Sequence, residues 1–179
     1  MKLSGLIAAP HTPFSANYSL AAEAVDRQAV HLASTGVNGV FVGGTTGECH
    51  SLSTSERIQL FHAWGKAAKA NDLVNIAHVG HNNLPDCQAL VEAAQASGAD
   101  AIGAMAPNFF KPGSVEELID WFALITEAVP ELPFYFYDIP GMTGVSLDTA
   151  EFLRKGRDRL SSLTGVKFTN PDQDLLREC

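Results

Sequence analysis

Apolar residues fall in six short runs along the chain: 3–9 "LSGLIAA", 37–42 "VNGVFV", 73–79 "LVNIAHV", 100–106 "DAIGAMA", 133–139 "PFYFYDI" and 163–168 "LTGVKF". Their starts lie 34, 36, 27, 33 and 30 residues apart. The stretches between them, about 20–35, 53–70, 84–97, 114–129 and 147–160, read as amphipathic helices. Leu118, Trp121, Phe122 and Ile125 mark one apolar face at helical spacing. Ser53 with Glu56, and Ser114 with Glu117, have the spacing of a capping box at two helix starts. Within 133–139 the side chains alternate, so Phe134 and Phe136 share one face and Tyr135 and Tyr137 the other.

Strict alternation of strand and helix implies parallel strands joined by crossovers, as in a doubly wound open sheet or a (β/α)8 barrel. The regular spacing and near absence of long loops favour the TIM barrel. No G-x-G-x-x-G follows the first run, so the dinucleotide-binding open sheet loses its main support. The pattern holds six strands and five helices, and "NPDQDLLREC" (170–179) begins a sixth helix. A barrel needs eight pairs and typically about 250 residues. Residues 1–179 are therefore expected to form a single domain, the N-terminal part of an incomplete α/β barrel. The first and last runs would then lack a neighbour, and Lys167 and Tyr137 would lie near the resulting gap.

The chain has 179 residues, with 46% hydrophobic and 18% charged, which is a core-forming composition. A net charge of −8 argues against a general nucleic-acid binder but leaves room for a small anionic ligand at a locally positive site. Cys49, Cys87 and Cys179 are odd in number and scattered, as expected of reduced thiols in a cytoplasmic setting. The start "MKLSGLIAAPHTPF" is broken by Pro10 and is too short for a signal peptide. No apolar run approaches the ~20 residues of a membrane span.

In parallel α/β folds, functional residues collect at the C-terminal ends of the strands. The second strand ends in "GGTTGECHSLS" (43–53), whose glycines, hydroxyls and amides suit a carboxylate or phosphate. An ordinary glycine-rich turn would look the same. Tyr137, at the end of the fifth strand, can shuttle a proton, or simply pack its ring with the hydroxyl in water. Lys167 lies inside the sixth run, in phase with Gly165 and Leu163. A lysine in an apolar strand is costly unless paired or neutral. A neutral amine attacks a ketone to form a Schiff base, which serves as an electron sink for C–C cleavage. The blander alternative is a lysine that reaches the strand end or pairs with Asp138. "MAPNFFKP" (105–112) forms an aromatic rim or a subunit contact. His78, His81, Cys49 and His50 show no convincing zinc spacing, so no metal is expected.

In order and spacing, "GGTTGE", "YDIPGMTG" and "GVKFTN" resemble the dihydrodipicolinate synthase / N-acetylneuraminate lyase family, and "GLIAAPHTPF" resembles its first strand. The resemblance runs over the whole chain. It implies a (β/α)8 barrel enzyme, a class I aldolase that forms a Schiff base with pyruvate and needs no metal or organic cofactor. Carried over by motif, Lys167 resembles the Schiff-base lysine and Tyr137 the proton-shuttling tyrosine. Thr45 resembles the hydroxyl of the proton relay. Thr46, with Gly47, resembles the carboxylate-holding turn, and Thr169 a substrate contact. Complete members imply a homotetramer acting on small-molecule 2-oxo acids. Met142 stands where the synthases usually carry an arginine, and Phe109-Phe110 where they tend to have tyrosines. Both departures favour the lyase branch, which cleaves N-acetylneuraminate to N-acetylmannosamine and pyruvate. The family's sugar-gripping residues lie largely on strands seven and eight, outside these 179 residues. A 2-keto-3-deoxy sugar acid aldolase, a dihydrodipicolinate synthase and a non-catalytic anion-binding domain remain as alternatives.

Overall fold

The six apolar runs lie side by side in chain order and pair in parallel throughout. The computed structural model describes residues 3–179. Its strands are β1 (Ile7–Ala8), β2 (Gly39–Val42), β3 (Val74–His78), β4 (Ala101–Met105), β5 (Phe134–Asp138) and β6 (Leu163–Phe168). The helices are α1 (Val25–Ser34), α2 (Thr54–Ala70), α3 (Leu84–Ala96), α4 (Val115–Thr126), α5 (Pro140–Thr143), α6 (Thr149–Arg159) and α7 (Gln173–Glu178).

Local chemistry explains where the elements start and stop. Ser53 caps α2 with a full capping box: its side chain accepts from the Glu56 amide, and the Glu56 carboxylate accepts from the Ser53 amide. Ser114 caps α4 the same way, but the Glu117 carboxylate reaches one residue further back, to the Gly113 amide at 2.7 Å. The run at 3–9 becomes only a two-residue strand. Asn38 takes both polar groups of Leu6, its Oδ1 accepting from the Leu6 amide and its own amide donating to the Leu6 carbonyl. Gly5, at φ +81°, then turns the chain off the ladder. Helix α5 was not legible in the pattern. It is one turn, opened by Pro140 at its first position and closed by Gly144 at φ +63°, too short to show a period.

Two apolar layers sandwich the sheet. The outer layer packs α2, α3, α4 and α6 on the strands and is rich in rings. Phe122 of α4 meets Phe134, Phe136 and Phe152 at centroid separations of 4.9, 5.6 and 5.8 Å. The inner layer holds Phe41, Ile76, Met105, Tyr137 and Ile139, with Tyr135 packed against it. The alternation along β5 is therefore as the sequence implies. Tyr137 of β5 lies 5.4 Å from Phe41 of β2, and these strands are not neighbours in the sheet. The sheet must curl for them to meet. A flat open sheet is excluded, and the fold is an incomplete (β/α)8 barrel. Among the described residues β1 and β6 each pair with one strand only.

The sixth run, although apolar, is not fully buried at any residue, and among the described residues it pairs with β5 alone. One expectation for it needs correction. Leu163 is out of phase with Lys167. The register steps from Phe134↔Leu163 to Tyr135↔Gly165, so Thr164 is an extra residue in a bulge. Leu163 consequently faces α6 and joins the outer layer, whereas Gly165 faces the ring of Tyr135 inside.

Candidate active site

At the C-terminal end of β6, Lys167 turns inward. Its Nζ lies 3.7 Å from the centroid of the Tyr137 ring and 5.3 Å from that of Phe41. An ammonium over a ring face is attracted by the quadrupole, so the two rings form a shelf for the amine. The same Nζ donates to Thr169 Oγ1 at 3.1 Å. Lys167 is half-buried, on the wall of a cleft of about 320 Å³ lined also by Leu3, Ile7, Phe41, Tyr135 and Val166. Residues of both edge strands line this cleft, so it is the mouth of the gap. Tyr137 does not share that exposure. It is 4% exposed, beneath the lysine.

Asp138 is not the lysine's partner. It alternates to the outer face, where its Oδ2 accepts from Thr149 Oγ1 at 2.9 Å and Asn170 Nδ2 at 3.1 Å. The Tyr137 hydroxyl instead lies 3.2 Å from Thr45 Oγ1, across the curled sheet. Lysine, tyrosine and threonine thus form one connected group drawn from β6, β5 and the turn after β2.

That turn is tightly built. Gly43 has φ +65°, a conformation that glycine adopts without strain. Gly47 is packed so closely that a Cβ would lie 3.0 Å from Gly43 Cα and 3.3 Å from the Pro10 carbonyl. Thr12 Oγ1 donates to the Gly47 carbonyl at 2.6 Å and ties the turn to the segment after β1. Among the described residues, the Thr46 and Gly47 amides donate to no protein acceptor. Two adjacent free amides suit an anion. The turn runs into a short 3-10 segment at Cys49–Ser51 and not directly into α2.

Beside it, Thr45, Glu48, His50, Met105, Asn108 and Met142 line a second cleft of about 210 Å³. Met142 is 64% exposed at its rim, and Phe109 and Phe110 stand out at 76% and 85%, edge to face. Lys167, Tyr137, Thr45 and Thr169 form a chain of contacts, and Thr46 and Gly47 belong to the turn that holds Thr45.

The pattern missed Arg57 and His78, both fully buried beneath this group. Arg57 lies on α2, where a charged residue reads as solvent-facing, although it is in phase with Leu60, Phe61 and Trp64. That phase is the signal that could have revealed it. His78 was weighed only as a metal ligand. Its Nδ1 lies 3.0 Å from the Gly43 carbonyl, and its ring stands edge-on to Tyr137 at 5.9 Å and 88°. Burial and the adjacent guanidinium of Arg57 hold its pKa well below the ordinary histidine value.

A curled parallel sheet with a lysine, a tyrosine and a turn of two unbonded amides at its strand ends defines a class: (β/α)8 barrels with a candidate site at the C-terminal face. Comparison with known sequences is more specific. Residues 2–178 match the dihydrodipicolinate synthetase family, and the chain belongs to that family. N-acetylneuraminate lyase of Xenopus tropicalis is 39% identical over 170 residues, which is 94% of this chain and 56% of that protein. The structure of N-acetylneuraminate lyase (sialic acid aldolase) from Aliivibrio salmonicida superposes with a TM-score of 0.96 at 40% identity, covering 100% of this chain and 59% of that one. A catalytic lysine mutant of Ruminococcus gnavus sialic acid aldolase superposes at 0.87 with 30% identity, covering 95% of this chain and 55% of that one. The chain therefore spans a little over half the length of the relatives it matches.

Proposed function

We propose that this chain carries the pyruvate-binding half of a Schiff-base aldolase that cleaves N-acetylneuraminate to N-acetylmannosamine and pyruvate. One observation carries the reading: Lys167 Nζ sits 3.7 Å over the ring of Tyr137, whose hydroxyl meets Thr45 Oγ1 at 3.2 Å. The neutral amine of Lys167 attacks the C2 ketone of the open-chain sugar. Water leaves and an iminium forms. The C4 hydroxyl gives up its proton, the C3–C4 bond breaks, and its electron pair moves into the iminium to give an enamine and the aldehyde product. The enamine takes a proton at C3, and hydrolysis frees pyruvate and the lysine. Tyr137 moves protons in these steps, with Thr45 continuing the relay. The Thr46 and Gly47 amides hold the carboxylate, so that C2 is presented to the amine. Thr169 keeps the lysine on its shelf and contacts substrate.

The uncharged Met142 at the rim supports a substrate without a second carboxylate there, hence the lyase branch. The relatives named as N-acetylneuraminate lyases support the same substrate. The reading carries no cofactor and no metal. It includes a single domain over residues 1–179, a cytoplasmic location and a homotetramer in the whole protein. Among the described residues no helix is long and apolar enough to cross a membrane.

The test is covalent trapping. In the whole protein, pyruvate with borohydride should add one reduced pyruvyl group, mapped by peptide mass spectrometry to Lys167. Labelling at Lys111 or Lys155 instead, or no labelling, refutes the assignment.

A further inference from the structure

Below the proposed relay, two polar side chains are buried at a cost that an apolar core would avoid. Arg57 and His78 are both fully buried, and no carboxylate bonds to the guanidinium among the described residues. Removing such groups from water costs several kcal/mol unless they are bonded. Every strong bond they make goes to a backbone carbonyl at the end of β2 or β3. Arg57 Nη1 donates to the Gly80 carbonyl at 2.9 Å, and Nη2 to the His78 carbonyl. His78 Nδ1 faces the Gly43 carbonyl at 3.0 Å.

A carbonyl only accepts, so Nδ1 carries the proton. Arg57 Nη2, 3.3 Å from the same nitrogen, is also only a donor and finds its acceptor at the His78 carbonyl instead. This leaves Nε2 bare, with no hydrogen-bond partner. Its neighbour is Gly80, where a Cβ would come within 2.9 Å of Nε2. The imidazole is thus clamped on three sides: by Gly43, by the guanidinium and by the Gly80 backbone. Its remaining edge meets the Tyr137 ring at 88°, and it lies 5.8 Å from Phe41. It touches both members of the relay, Tyr137 through the ring and the Thr45 turn through Gly43.

We propose that His78, held by Arg57, is a positioning residue that sets the Thr45–Tyr137 contact by anchoring the Gly43 carbonyl and packing against the Tyr137 ring. The proposal rests on the Schiff-base reading above. His78 touches no reacting atom. Without its bond, Gly43 is free to rotate at its positive φ, Thr45 moves off the tyrosine hydroxyl, and proton transfer slows while amine addition at Lys167 persists.

The experiment uses the whole protein with pyruvate alone. Enamine formation exchanges the methyl protons of pyruvate with D2O, which proton NMR follows, and borohydride trapping reads the lysine separately. His78→Asn keeps a donor where Nδ1 stood, whereas His78→Gln moves it to the Nε2 side and His78→Leu removes it. Thermal melts identify folded variants. We expect His78→Leu and His78→Gln to lose at least about tenfold in exchange rate while the trapped yield at saturating pyruvate stays at the parent level. His78→Asn should recover most of the rate. The double variant His78→Leu/Tyr137→Phe should be no slower than Tyr137→Phe alone, because the two act through one contact. Folded Asn and Gln variants with equal rates, or losses that multiply in the double variant, would overturn the proposal. A parent protein that is never trapped fails differently: it removes the aldolase reading and this inference with it.

Discussion

Replacing Tyr137 by phenylalanine separates chemistry from packing, because it deletes one oxygen and leaves the ring. The ring packs against Phe41 at 5.4 Å and 76° and carries Lys167 Nζ at 3.7 Å, and both contacts survive. The hydroxyl's bond is to Thr45 Oγ1 at 3.2 Å, long for O–H···O. Its loss should cost stability only about 0.5–1.5 kcal/mol. A group moving protons in the transition state contributes about 10²–10⁴-fold. That is about 2.7–5.4 kcal/mol of barrier, severalfold more than the stability term. Tyr137→Phe should therefore melt close to the parent, yet lose 10²–10⁴-fold, as an order-of-magnitude range, in pyruvate methyl exchange and in pyruvate release from N-acetylneuraminate by the whole protein. Lys167 should still be trapped at long times. A variant that exchanges within twofold of the parent while its melt drops would show that the phenol only packs, and the proton-relay role would be wrong.

Three further outcomes are expected. Met142→Arg places a cation at the rim of the cleft beside Thr45 and should lower turnover of N-acetylneuraminate; efficient condensation of pyruvate with aspartate semialdehyde by the unmodified protein would refute the lyase branch. Phe122→Ala removes a fully buried ring that touches three others and should cost about 3–5 kcal/mol in urea unfolding, whereas a loss below about 1 kcal/mol would contradict the packing described. Burial pushes the Cys87 thiol from 9.0 up to about 11, so between these values the unfolded chain binds fewer protons than the folded one. Stability should be whole below about pH 9 and fall as pH rises towards 11, and Cys87→Ala should flatten part of that slope in denaturant melts.

The alternation of apolar runs and amphipathic helices determined by itself that the fold is a parallel α/β layer. Local rules suffice for this: period two in the strands, a helical period between them, and Ser53–Glu56 closing a cap within four residues. That Lys167, Tyr137 and Thr45 lie near strand ends was legible for the same reason, since strand ends can be counted along the chain. Tertiary structure alone decided what depends on distant partners. That β2 and β5 meet across a curled sheet, bringing Thr45 to Tyr137, is a property of closure and not of any segment. Leu163 left the phase of Lys167 because pairing with β5 placed a bulge at Thr164. Arg57 and His78 were misjudged because burial of a charged or polar side chain is settled by the carbonyls that receive it. Those carbonyls, at Gly43, His78 and Gly80, each lie at least 21 residues along the chain from the side chain they receive.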